Sequence, residues 1–213
     1  IVVAPQELAG VDLIDGEEHT FIACAQTASA AEKLNVGAAA AHGVYLLFLQ
    51  AGNYFMSPEP VEQLLGMCER AGVGAVGPKL LYWDGEVRSF GVACTSRRIM
   101  PLYRGYPNDF PAYQCTLESF QNVSAVEFDG MMVARELFEE AGGFDPGFAG
   151  PIGCADFCTS VRQRGRRIVT SPSVRLHTAD RCPDERYNAT KNCPEFSEAD
   201  TRRYDEKWPD ARK

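Results

Sequence analysis

The chain has 213 residues, 45% hydrophobic and 23% charged, with a formal net charge of -8. That length fits one domain able to bury about 70% of its unfolded surface, and the acidic balance excludes a partner held through nucleic-acid phosphates, which needs a basic face. No apolar run reaches the roughly 18 residues of a transmembrane helix, and no basic lead-in marks a signal peptide, so Ile1-Val2-Val3 reads as a strand already under way in a domain cut from a longer protein.

Residues 1–4 are a short β-branched strand and residues 19–25 a second. The alanine-rich stretch from Ser29 to His42 predicts a helix stopped by Gly43. Val44 to Leu49 is apolar without alternation, the pattern of a strand covered on both faces. Ser57 is placed as an N-cap with Pro58 at the first helical position, opening a helix to Arg70 with Val61, Leu64, Leu65 and Cys68 on one face and Gly72 at its end. Strands follow over 73–82 and 89–95, with a turn at Asp84-Gly85 between them. Residues 96–119 read as loop, 123–133 as a strand, 135–141 as a short helix, and 154–164 as an arginine-rich helix closed by Gly165. Short strands at 168–170 and 174–177 precede a charged helix over 197–208, which Trp208 is expected to pack back onto the domain. Alternating strands and helices give a mostly parallel α/β layer with a mixed second half.

Eight scattered cysteines, several inside apolar segments, behave as small hydrophobes and suit a reduced, cytoplasmic setting. Cys182 and Cys193 flank a polar loop and form the pair most suited to cross-linking under oxidising conditions. The sequons at Asn122 and Asn188 read as chance matches.

The order of motifs carries more information than any one of them. Asn35-Val-Gly37-Ala38 leads a helix into the apolar strand, and Val73 to Gly85 follows with Gly-Pro78-Lys79 and Asp84-Gly85. Then come Gln121 to Val126, Met131 to Asp145 with its Gly142-Gly143-Phe144-Asp145 close, and Arg162 to Pro172. In this order and spacing the chain resembles the family 2 glycosyltransferases, in particular bacterial enzymes that add sugars such as rhamnose to surface polysaccharides. The resemblance covers nearly the whole chain. It implies one α/β domain over residues 1–213, GT-A-like, with a mixed, mostly parallel sheet flanked by helices, truncated at both ends and lacking the first strand. It implies a nucleotide sugar and a glycan acceptor as partners, other domains of a larger parent protein, and a divalent cation, Mn or Mg, held by carboxylates.

Against that pattern the chemistry is altered. The resemblance implies a donor side at Asn35 and at Gln50-Ala51-Gly52-Asn53, yet that loop carries no carboxylate, and its amides support at most weak metal binding. Cys154 stands where the general base is expected, and a thiol is a poor base for a sugar hydroxyl. Asp156 reads as a helix N-cap in preference to a base. Asp129 and Glu127, on one strand face by the period of two, read as a relocated base or, in preference, an electrostatic barrier to an anionic diphosphate. His177 falls one residue from the expected metal histidine, and Ala4 replaces an acidic residue near the nucleotide base. Cys154, Cys158, His177, Cys182 and Cys193 are a rival zinc set, but no CxxC pair exists and the spacing of Cys154 and Cys158 suits two core-facing thiols. Tyr103, Tyr106 and Tyr113 are loop aromatics suited to a glycan face or to anchoring the loop. Two functions therefore compete: a sugar transferase using Asp129 or Asp156, and a catalytically impaired scaffold or glycan-binding module of a larger protein.

Overall fold

The computed structural model describes residues 1–8, 19–95, 98–148, 151–178 and 198–211. Cys182, Cys193, the sequon at Asn188 and the polar stretch leading into the last helix lie outside them. Strands β1 (Val2–Pro5) and β2 (Phe21–Cys24) pair in parallel and lead into helix α1 (Ala30–Ala40). Ser29 opens α1 with a capping box: its hydroxyl accepts from the Glu32 N–H at 3.2 Å while the Glu32 carboxylate accepts from the Ser29 N–H at 2.7 Å. The helix stops at Ala40, before Gly43, because Ala41 turns to extended backbone.

Seven of the remaining strands form a mixed sheet. Its members are β3 (Tyr45–Leu47), β4 (Tyr54–Phe55), β5 (Val73–Leu81), β6 (Val87–Ser89), β9 (Gln121–Val123), β10 (Met132–Ala134) and β11 (Arg167–His177), with the path β3-β10-β5-β11-β4. Because β10 is antiparallel to both β3 and β5, and β5 is parallel to β11, the strands β3, β5 and β11 run in one direction with β10 inserted against them. The nine residues of β5 are all buried, as expected for a strand covered on both faces. Neighbouring positions divide between the two cores: Ala75, Val133 and Ile168 face one, and Val76, Met132 and Val169 the other. Helix α2 (Pro60–Cys68) covers the second core with Leu64, Met67 and Cys68. The larger first core lies under α3 (Arg135–Glu140) and α4 (Pro151–Gln163). Its centre is Phe144, whose ring meets those of Phe48, Phe128, Phe138 and Phe157 edge-on at 4.6–5.0 Å.

Several boundaries differ from the sequence expectation, each for a local reason. Helix α2 starts at Pro60 with Glu59 as N-cap in the left-handed region (φ 48°), and Ser57 does not cap it. The Ser57 hydroxyl is taken by β11: it donates to the Ser173 carbonyl and accepts from the Arg175 N–H, both at 2.8 Å. Val61, expected on the buried face of α2, is 44% exposed, and Met67 takes its place. The strand expected over 89–95 breaks at Gly91 (φ 90°), where a Cβ would meet Val123 at 2.7 Å, leaving β6 and β7 (Val92–Cys94). Within the stretch expected to be loop, β8 (Ile99–Pro101) pairs with β7 and a short 3-10 segment spans Tyr113–Glu118. The strand expected over 123–133 is two, β9 and β10, separated by a loop that turns at Gly130 (φ 75°), where a Cβ would lie 2.5 Å from Pro78. The two strands expected at 168–177 are one, β11, carrying an irregularity between Ser171 and Arg175.

Helix α5 (Glu198–Lys207) closes the molecule. Helix α4 is buried along nearly its whole described length, so it needs cover on the face away from the sheet. Tyr204 of α5 supplies it, with its hydroxyl 2.6 Å from that of Thr159.

Candidate functional site

The carboxyl ends of β3, β5 and β11 and the amino end of β10 share one edge of the sheet. Open α/β sheets bind their ligands at such an edge. Pairing between β3 and β10 continues past the strands, through the Phe48 N–H to the Met131 carbonyl at 2.9 Å and the Gly130 N–H to the Phe48 carbonyl at 2.8 Å. This brings the loop Gln50-Ala51-Gly52-Asn53 against the loop that carries Asp129. Gly52 turns the first loop at φ 84°, a conformation that glycine adopts without a steric penalty.

Between the loops lies a buried polar cluster. Asn53 Nδ2 donates to Asp129 Oδ1 at 2.6 Å, and Arg88 Nη1 to Asp129 Oδ2 at 2.8 Å. The other terminal nitrogen of the guanidinium, Arg88 Nη2, lies 3.2 Å from Glu127 Oε2. The side chains of Arg88, Glu127 and Asp129 are 10%, 5% and 4% exposed, so this is a charge-assisted network out of water. Two expectations change here. Glu127 and Asp129 do not share a strand face, because no strand spans them, and they are not a bare acidic barrier, because Arg88 is clamped between them. Arg88 escaped the sequence reading. Its signal was a charged residue inside the otherwise uncharged run Val87 to Val92.

Cys154 sits in the second turn of α4, 1% exposed, behind the Glu127–Asp129 loop. Burial first, then the neighbouring Glu127, push its thiol well above the ordinary value. A neutral buried thiol accepts no proton from a sugar hydroxyl. Cys158 is likewise buried, its thiol pushed up by burial to about 12. Asp156 is not an N-cap, since α4 begins at Pro151 and places it mid-helix. Its carboxylate accepts from Trp208 Nε1 at 2.7 Å and from Lys207 Nζ at 3.0 Å, fastening α5 to α4. Asn35 is likewise occupied by the fold. Its Nδ2 donates to the Phe144 carbonyl at 2.7 Å and its Oδ1 accepts from the Phe144 N–H at 2.9 Å. Both ends of its amide are thus directed at the chain after α3, away from the edge loops.

A cleft of about 570 Å³ opens between β1 with α1 on one side and β3 on the other. It brings Ala4 together with Gln50 and Ala51, and Lys33 is the one charged side chain in its lining. His177, at the end of β11, stacks on Tyr54 with ring centroids 5.4 Å apart. Burial lowers its pKa below the ordinary histidine value.

These residues do not fit a divalent cation. The Asn53 amide presents its N–H2 to Asp129, the Asp129 oxygens are held by Asn53 and Arg88, and Gln50 lines a cleft that contains no carboxylate. Among the described residues no group of three His, Cys, Asp or Glu side chains could hold a metal ion; Cys182 and Cys193 of the zinc set lie outside them. No helix among them is long and apolar enough to cross a membrane.

No protein-family model matches the chain. It is 28% identical over 145 residues to the uncharacterized protein y4gI of Sinorhizobium fredii, covering 67% of this chain and 16% of that protein. It is 30% identical over 144 residues to the O-antigen biosynthesis protein RfbC of Myxococcus xanthus, covering 67% of this chain and 11% of that one. The chain therefore spans less than a fifth of the length of either relative. Among solved structures, GalNAc-T7 with UDP, GalNAc and Mn2+ superposes with a TM-score of 0.56 at 14% identity, over 88% of this chain and 42% of that one. The mannosyltransferase PcManGT from Pyrobaculum calidifontis, in complex with GDP-Man and Mn2+, gives 0.53 at 19% identity, over 80% and 41%. The inserted antiparallel β10, the loops at the sheet's carboxyl edge and these superpositions agree: the chain has the GT-A glycosyltransferase fold.

Proposed function

We propose that the chain is a glycosyltransferase-like domain of cell-surface polysaccharide synthesis, part of a longer protein, that handles sugar without carrying out metal-assisted transfer. The polysaccharide setting rests on the likeness to the O-antigen biosynthesis protein. The loss of metal-assisted chemistry rests on one observation above the others. Cys154 fills the base position as a thiol 1% exposed, and no carboxylate stands in the loop after β3 to replace the metal ligands. A diphosphate leaving group needs positive charge at its oxygens, and the one cation in the edge cluster, Arg88, is already paired with two carboxylates. On this reading the domain works beside other parts of its parent protein as a sugar-binding scaffold in a reducing compartment.

A donor-hydrolysis assay tests it. Incubated with UDP-, dTDP- or GDP-sugars and manganese, the chain is expected to release no nucleoside diphosphate above background. Manganese-stimulated release would contradict the reading.

The second reading, metal-free transfer, is favoured by the place of Asp129 at the carboxyl edge of the sheet. Against it, both carboxylate oxygens already accept hydrogen bonds, and Asp129 is 3% exposed. If Asp129 is the base, any transfer by the parent chain disappears in D129N. Transfer that survives D129N removes this reading.

A further inference from the structure

The same edge of the sheet carries an aromatic corner. Tyr54 on β4 and His177 on β11 are cross-strand partners, and their rings stack at 5.4 Å with 21° between planes. Trp83, two residues past β5, meets Tyr54 edge-on at 6.1 Å and 70°. The rings form an L, with the Tyr54–His177 stack as one wall and the indole as the other. The strands place them there: His177 pairs with Leu81 in the parallel β5–β11 ladder, and the Thr178 N–H bonds the Leu81 carbonyl at 2.9 Å. Both chains therefore leave the sheet side by side, and Tyr54 adjoins Asn53, the residue bonded to Asp129.

Cross-strand aromatic pairing explains the Tyr54–His177 stack as support for a short edge strand. It does not explain Trp83, which stays 62% exposed while Tyr54 stays 41% exposed. An indole left in water beside a second ring, at the ligand-binding edge of an α/β sheet, is a binding surface before it is a packing element. The faces of such rings carry partial negative charge, whereas the axial C–H groups of a pyranose carry partial positive charge and form a flat apolar patch. A sugar laid against the open indole face would have its hydroxyls directed around its rim, toward the polar loops at 50–53 and 129.

We propose that Trp83 and Tyr54, backed by His177, form a saccharide-stacking subsite that takes one neutral pyranose ring of a glycan. The proposal rests on the reading of the domain as a sugar handler and adds where the glycan docks. Trp83 and Tyr54 are the binding residues, and His177 positions the Tyr54 ring.

The test uses the 213-residue chain and a panel of methyl glycosides of neutral hexoses and deoxyhexoses. Saturation-transfer NMR reads which sugar protons touch the protein and, by titration, the affinity of every variant, and the fluorescence of Trp83, one of two tryptophans, reports binding in the chains that retain it. The expected result is saturable binding of at least one glycoside, with the C–H protons of one ring face most strongly saturated. W83A and Y54A should each weaken it about tenfold or more. Y113A, which removes an aromatic 81% exposed in a separate loop, should leave it unchanged. The proposal is overturned if no glycoside binds, if W83A and Y54A bind as tightly as the parent, or if Y113A is the variant that weakens binding. Nucleotide-sugar titrations on the same variants separate this inference from the functional reading. Glycoside binding lost in W83A supports the subsite whatever the nucleotide sugars do, whereas a metal-dependent nucleotide-sugar response with no glycoside bound overturns the subsite and the functional reading separately.

Discussion

Arg88 shows at single-residue scale how much of the site depends on one side chain. It holds Glu127 and Asp129 from across the sequence, 41 residues away in the case of Asp129, and is nearly as buried as they are. Removing one partner of a buried charge cluster is costly, because the remaining charges stay out of water. Arg88→Ala is therefore expected to destabilise the fold by about 3–5 kcal/mol, measured by chemical denaturation. Arg88→Lys should recover only part of that, since an ammonium cannot bridge two carboxylates with a planar fork. A change within experimental error in R88A would mean that the cluster is not buried as described. The burial of Cys154 has its own consequence: a thiol-reactive probe should label the exposed Cys115 quickly and leave Cys154 and Cys158 untouched until the protein unfolds. Rapid labelling of Cys154 in the native state would reopen its chemical role. At this scale the sequence was informative about residue types and poor about partners. That residues 50–53 and 154 carry no carboxylate could be read directly, because a residue type needs no partner. The Arg88 clamp could not, because no local pattern links residue 88 to 127 and 129.

Elements were most legible where local physics decides alone. The Ser29–Glu32 capping box, the wholly buried β5, apolar but for Lys79, and the glycine-closed α3 need nothing beyond their own neighbourhood. They were misread where a distant element competes for the same group. Ser57 has the chemistry of an N-cap, but β11 takes its hydroxyl; Asp156 has it too, but α5 takes its carboxylate. The docking of α5 is accordingly an electrostatic matter with a definite pH window. Burial pulls the Asp145 carboxyl up, yet the Gly147 N–H and the ammonium of Lys207 outweigh it and hold it below its ordinary value. Burial likewise pulls Lys207 down, yet Asp156 and Asp145 outweigh it and hold it above. A lowered carboxyl stabilises above its unfolded value of about 3.9 and stops doing so as pH falls. A raised ammonium stabilises below its unfolded value of about 10.4 and stops doing so as pH rises through the raised one. Docking of α5 is therefore expected to hold between those limits and to loosen on both sides, seen as a red shift of Trp208 emission in W83F. Asp156→Ala, which strips Trp208 Nε1 and Lys207 of an acceptor, should cost about 1–3 kcal/mol and make the C-terminal helix the first site of limited proteolysis. Unchanged protection of α5 in D156A would show that Tyr204 and the apolar contacts hold it alone.

The whole molecule combines a retained architecture with altered chemistry. The order of strands, the inserted β10 and the aromatic core around Phe144 belong to the GT-A fold, and the sequence carried them because motif order survives even where single motifs are weak. The Gly142-Gly143-Phe144-Asp145 motif is structural here: Phe144 centres the core and Asp145 meets α5. At the sheet's carboxyl edge an arginine bridges two acids, Cys154 is buried behind them, and the loop after β3 has no acid at all; on the proposed reading these stand in place of a transferase's metal ligands and base. On the proposed reading the domain binds without a metal or does not bind nucleotide sugar, and one experiment separates that reading from a working metal-dependent transferase. Calorimetric titration of the chain with UDP-, dTDP- and GDP-sugars, run with and without manganese, is predicted to give the same heats in both conditions; micromolar binding that requires manganese would contradict the account.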